Sequence, residues 1–242
     1  MQSSEDLGNT FGRAWQLLAS NPNILLPAIV IGIIGGILNQ IVANLFIGGG
    51  TTYGSLGSIF LGSFLILAIA TIAEILTVGF TTGMGVGAWR TGRAHYSDGT
   101  AVFSNGAAMT TIMIWIVAGV ILALIPLLGW IAGLVLFFLW IYAVPSAVVN
   151  SVSAAAAFGE SVNMVTRNFV PTLIIVLLIG VIGFIGGLVG AAVSAVPYLG
   201  RIIGEIITTG VVCYGTLVIV GEYLKARVSV GQPPAATPPP PA

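Results

Sequence analysis

Residues 58–87 read SIFLGSFLILAIATIAEILTVGFTTGMGVG, a run whose only charged side chain is Glu74. A helix needs roughly 20 apolar residues to cross bilayer hydrocarbon, so this stretch is long enough to span it. Its lone carboxylate then needs an explanation. Five further stretches of the same kind lie at 24–46, 109–128, 130–149, 170–195 and 198–221. The whole 242-residue chain is 57% hydrophobic and 6% charged, whereas soluble domains carry roughly a quarter charged residues. The reading is an all-α integral membrane bundle of six transmembrane helices over residues 1–229. A proline-rich tail, 230–242, is expected to be disordered or polyproline-like.

Within the bundle, Pro126 should end the third span, and Leu127, Leu128 and Gly129 read as the tight turn into the fourth. The first span follows Glu5, Asp6 and Arg13 rather than a basic leader, so it is expected to stay in the mature protein. Of seven basic residues, Arg13, Arg90, Arg93, Arg167, Lys225 and Arg227 fall on one side of a six-crossing topology and Arg201 on the other. Short positive connections resist translocation, which predicts a plasma (inner) membrane protein with both termini cytoplasmic. Trp15, Trp89 and Tyr223 then fall near the inner interface, and Trp130 and Tyr198 near the outer one.

Ahead of the first span, Leu7, Phe11, Ala14, Trp15 and Leu18 recur at helical spacing opposite Arg13, Gln16 and Ser20. This predicts an amphipathic helix that lies on the membrane surface or packs against the bundle. The pattern returns 147 residues later, where FGESVNMVTRN (158–168) aligns with FGRAWQLLASN (11–21). AEILTVG (73–79) likewise aligns with GEIITTG (204–210), setting Glu74 against Glu205, Thr77 against Thr208 and Gly79 against Gly210. Two parallel repeat units, about 4–90 and 153–225, are expected to flank a middle hairpin at about 109–149. Residues 98–109 match the lead-in pattern more weakly, leaving that hairpin open to reading as a third copy.

FGRAWQLLASNPNILLP (11–27), GVGAWRTGRAHYSDG (85–99) and AFGESVNMVTRNFV (157–170) carry a resemblance. The chain resembles a broad group of uncharacterised bacterial and archaeal polytopic proteins that includes the membrane domain found beside some glycerophosphodiester phosphodiesterases. The resemblance implies a helical membrane fold with interfacial helices. It implies no catalysis, because the chemistry of those fusions belongs to a separate soluble domain.

Small residues four apart, at Gly79, Gly83 and Gly87 above all, let helix backbones approach closely in lipid, where apolar burial supplies little force between helices. Glu74 lies 16 residues before Arg90, roughly 24 Å along a continuous helix. An ionised acid at that depth costs several kcal/mol, so it should face the bundle or water, or stay protonated. Two accounts are open. In one, Glu74 and Glu205, with Thr77, Thr208, Asn39, Gln40 or Asn44, form a polar layer that binds a proton, cation or cationic solute. In the other, Glu205 pairs with Arg201 at i, i+4 and Glu74 bonds to threonines or the Asn/Gln group. Glu222, beside Lys225, reads as a solvated interfacial acid.

An enzyme is the least supported class. The sole histidine, His95, falls in the connection at 90–99, and the aspartates are Asp6 and Asp98; no catalytic residues, metal site or cofactor are expected. Arg90, Arg93, Arg13 and Arg167 are suited to lipid phosphates or acidic partner groups. Membrane lipids, other membrane proteins or further copies of this chain are the expected partners, and no nucleic acid. A non-enzymatic scaffold or accessory protein of a membrane assembly is the function expected first. A small transporter centred on Glu74 and Glu205 is the alternative.

Overall fold

The structure, a computed structural model, describes residues 4–46, 56–125, 128–150, 153–194, 196 and 199–229. Ten α-helices occur among them and no strand: α1 Ser4–Ser20, α2 Leu25–Phe46, α3 Leu56–Thr91, α4 Tyr96–Ser104, α5 Gly106–Ala123, α6 Leu128–Trp140, α7 Ala143–Asn150, α8 Ala154–Arg167, α9 Phe169–Ser194 and α10 Gly200–Ser229. Five helical segments are long and apolar enough to cross a membrane: Pro22–Phe46, Gly57–Thr91, Ile131–Asn150, Phe169–Ser194 and Gly200–Arg227. A sixth is reached if the pair Tyr96–Ser104 and Gly106–Leu122, bent by 80°, counts as one span.

Local chemistry sets the breaks. Gly92, at φ +78°, ends α3 and donates its N–H to Ala88 at 2.9 Å, a left-handed stop that suits a residue without Cβ. Asn105 turns the chain from α4 into α5, and its side-chain oxygen accepts from the N–H groups of Ala107 and Ala108 at 3.0 and 3.2 Å. Ser153 caps α8 in the same way through Ala156 at 3.3 Å. The expected straight span at 130–149 is interrupted between Trp140 and Ala143. Pro145 has no N–H for the carbonyl four residues earlier and crowds it. Ser161 of α8 serves two other backbone groups at the break, accepting from the Tyr142 N–H at 3.1 Å and donating to the Leu139 carbonyl at 2.8 Å.

The expected hairpin turn is also displaced. Gly129 lies inside α6 and donates to Ile125 at 2.9 Å, so α5 has already ended at Ala123. Pro126, Leu127, Tyr198, the Trp130 side chain, most of the glycine-rich stretch 47–57 and the tail 230–242 lie outside what the structure describes.

Two long helices organise the bundle. Helix α10 packs against α2, α9 and α3, and α3 against α2, α4 and α5. The short helices follow a rotary pattern: α4 lies on α3, α8 on α7 with α5 and α6 alongside, and α1 on α10. Helix α1 buries Leu7, Thr10, Ala14, Leu17 and Leu18 against the bundle, while Trp15 is 63% exposed and meets the Tyr214 ring edge-on at 6.2 Å. Its apolar side is therefore turned to the protein. Outward faces of α2 and α9 present Leu26, Val30, Ile37, Leu177, Phe184 and Leu188, as a lipid-facing surface requires.

Close approach is concentrated where the glycines are. A Cβ at Gly83 would overlap the backbone carbonyl of Asp98, and one at Gly79 would stand 2.8 Å from the Ile112 side chain, so the α3 ladder seats the short helix α4 at Gly83 and reaches α5 at Gly79. At Gly36 a Cβ would stand 2.6 Å from the Cα of Ile202, which sets the α2–α10 crossing. Gly183 and Gly187, by contrast, have nothing within 4 Å.

Candidate functional site

Helix α3 runs unbroken past Glu74 to Thr91, so the acid keeps its place roughly 24 Å before Arg90. It opens into a cavity of about 500 Å³ between α3, α5, α6 and α10, walled by Leu67, Thr71, Trp115, Phe137 and Trp140. The aromatic wall is ordered by its own contacts. Trp115 meets Trp140 edge-on at 5.5 Å and Phe137 at 6.3 Å, and Phe158 of α8 lies tilted against Trp140 at 4.4 Å. Glu74 accepts no hydrogen bond from any described residue. Thr77, one turn on, is buried and donates to the Ala73 carbonyl at 2.8 Å.

Glu205 lines a different cavity from Glu74. That second space, about 280 Å³, is bounded by Asn39, Ser194, Arg201, Glu205 and Thr208. Asn39, 2% exposed, donates its amide to Glu205 at 2.6 Å, and its own side-chain oxygen has no partner among the described residues. The expected Arg201–Glu205 pair is absent among the described residues: Arg201 reaches across to the Asn39 carbonyl at 3.4 Å instead. Thr208 bonds back to Gly204 at 3.1 Å. Gln40 and Asn44 bond each other at 2.9 Å on the exposed side of α2 and join neither acid. Of the seven residues expected to converge, Glu205, Asn39 and Thr208 share one cavity and Glu74 stands in another.

At the opposite end of α3 and α10 the polar side chains are bonded across helices. Glu222 is 2% exposed, not solvated as its sequence context suggests: Thr10 of α1 donates to it, and Lys225, which also donates to Thr10, lies 3.4 Å away. Glu160 of α8, which sequence reasoning passed over, is the hub of a second network. It accepts from Ser146 at 2.6 Å, Asn150 at 2.7 Å and Tyr223 at 3.0 Å, and Asn150 also donates to Tyr223 at 2.9 Å. Ser146 and Asn150 sit four apart on one helix face, and that spacing was the legible clue.

Tyr223, expected near the inner interface, is wholly buried within the protein. Trp89 is also buried, donating to the Leu217 carbonyl at 2.9 Å. Arg13 covers the Trp89 ring at 4.9 Å and donates to its carbonyl at 3.3 Å, while Arg90, Arg93 and Arg167 are exposed. His95 is exposed in the connection before α4. Among the described residues no group of three His, Cys, Asp or Glu converges as a metal site would require.

No family model, curated protein or solved structure matches this chain.

Proposed function

We propose that this chain is a non-enzymatic integral membrane protein that serves as a scaffold or accessory component of a membrane assembly, seated in the inner membrane with both termini cytoplasmic. The observation that carries this reading is where the acids go. Glu160, Glu205 and Glu222 each accept a hydrogen bond from a side chain on another helix, the behaviour of fasteners rather than of groups presented to a substrate. Lateral association has a surface to use. Gly180, Gly183, Gly187 and Ala191 fall on one exposed stripe of α9, and small residues at that spacing admit a second helix backbone.

We read the architecture as three tandem units, each a short helix followed by two spans: α1 to α3, α4 to α7, and α8 to α10. Support comes from the rotary packing, in which every lead-in helix lies on the last span of the preceding unit and α1 closes the ring on α10. The resemblance to the membrane domains beside glycerophosphodiester phosphodiesterases fits a protein that supports chemistry performed elsewhere.

The test is lateral association itself. Gly183→Leu with Gly187→Leu is expected to shrink the complex seen by native electrophoresis of gently solubilised membranes while helicity is kept. A wild-type chain that runs alone would overturn the reading. The transporter alternative, in which Glu74 and Glu205 form one layer, is less well supported because the acids line separate cavities. It predicts that replacing both by glutamine abolishes solute movement in reconstituted vesicles, whereas a scaffold keeps its assembly.

A further inference from the structure

We propose that the Glu74 cavity is a binding site for a hydrophobic organic cation. This does not depend on the scaffold reading. Three features meet in that space. Its volume, about 500 Å³, lies in the range of pockets that enclose a drug-sized molecule. Its walls are almost wholly apolar, so a ligand must bring a large apolar body. The exception is Glu74, the one acid of the bundle interior without a hydrogen bond among the described residues, where Glu160, Glu205 and Glu222 all have one.

A carboxylate in such surroundings is costly alone and is offset by an opposite charge brought into contact with it. The aromatic wall narrows the chemistry further. Trp115 and Trp140 form an edge-to-face pair held by Phe137 and Phe158, and indole faces are the strongest side-chain partners for an organic cation. A small hydrated ion fits poorly, because it would need several oxygen ligands and the lining supplies only Glu74 and Thr71. An acyl chain would fill the volume but leave the carboxylate unmatched. Charge and apolar bulk together select a lipophilic ammonium or phosphonium. Glu205, already bonded to Asn39 beside Arg201, does not share this site.

The probe is tetraphenylphosphonium, with tetraphenylborate as its anionic counterpart of the same shape. Equilibrium dialysis of the purified full-length chain in detergent should show saturable phosphonium binding that tetraphenylborate does not displace, together with quenching of tryptophan fluorescence. Glu74→Gln should weaken binding about tenfold or more, Glu74→Asp should restore part of it, and Glu205→Gln should leave it within about twofold. Should Glu74→Gln not fold, Gly133→Leu narrows the cavity from the opposite wall and should produce the same loss with the charge retained. Absence of saturable phosphonium binding overturns the proposal. So does equal binding of the borate, equal affinity of Glu74→Gln, or a cavity holding copurified lipid that phosphonium fails to displace.

Discussion

Tyr223 illustrates what a single side chain does here. In the sequence it reads as an interfacial ring near Lys225. In the fold it is fully buried, with its hydroxyl shared between Glu160 and Asn150. Tyr223→Phe keeps the ring and removes one of three donors to Glu160 while Ser146 and Asn150 still bond it, so it should lower stability by about 0.5–1.5 kcal/mol, read as an earlier thermal unfolding midpoint in detergent; an unchanged midpoint would mean the network is solvated. Glu222 and Thr10 bind α1 to α10. A double-mutant cycle of Thr10→Val with Glu222→Gln should return a coupling of about 0.5–3 kcal/mol, and simple additivity would show that α1 is held by its apolar side alone. These partnerships were illegible beforehand because their members are up to 212 positions apart. Ser146 and Asn150 were the exception, four apart on one face, and even they named no acceptor.

Among the elements, the glycine ladder of α3 was legible as a close-packing surface, but its occupant was not. Periodicity says that a backbone can come near; it does not say which. At Gly83 the occupant is α4, whose Asp98 carbonyl rests against it and whose Phe103 ring lies 4.6 Å from Phe80, while Gly79 also meets Ile112 of α5. Gly83→Ala should therefore cost about 1–3 kcal/mol through displaced backbone, whereas Gly183→Ala on the open face of α9 should cost almost nothing; comparing the two midpoints checks the assignment. The break between α6 and α7 has a similar logic. Pro145 announces an interrupted helix, and only the fold shows Ser161 of α8 bonding the Tyr142 N–H and the Leu139 carbonyl that the break leaves open. Ser161→Ala should destabilise the chain by about 1–3 kcal/mol and raise hydrogen exchange at Tyr142 more than at Ile112; equal protection would remove Ser161 from that role.

For the whole molecule, the number of crossings follows from the bent pair α4 and α5. If that pair spans with α6 and α7, reporters at the N-terminus and after Ser229 should both be cytoplasmic; reporters on opposite sides would mean five crossings and would dismantle the three-unit arrangement. The sequence by itself determined the solvent and the element type, because a chain with 6% charged residues in lipid can satisfy its backbone only in helices or a closed barrel, and continuous apolar runs of roughly 20 or more residues lack the alternation of barrel strands. It also located the long helices, since apolar length is a local property. What only the tertiary structure decided was the fate of each polar side chain. Glu205 went to Asn39 rather than to its helical neighbour Arg201, Glu222 went inward to Thr10, and Glu74 was left facing an aromatic cavity. The physical reason is that in a low-dielectric bundle a polar group takes whichever partner the neighbouring helix brings within 3 Å or so, and that choice depends on helix crossing and rotation, which no local pattern encodes.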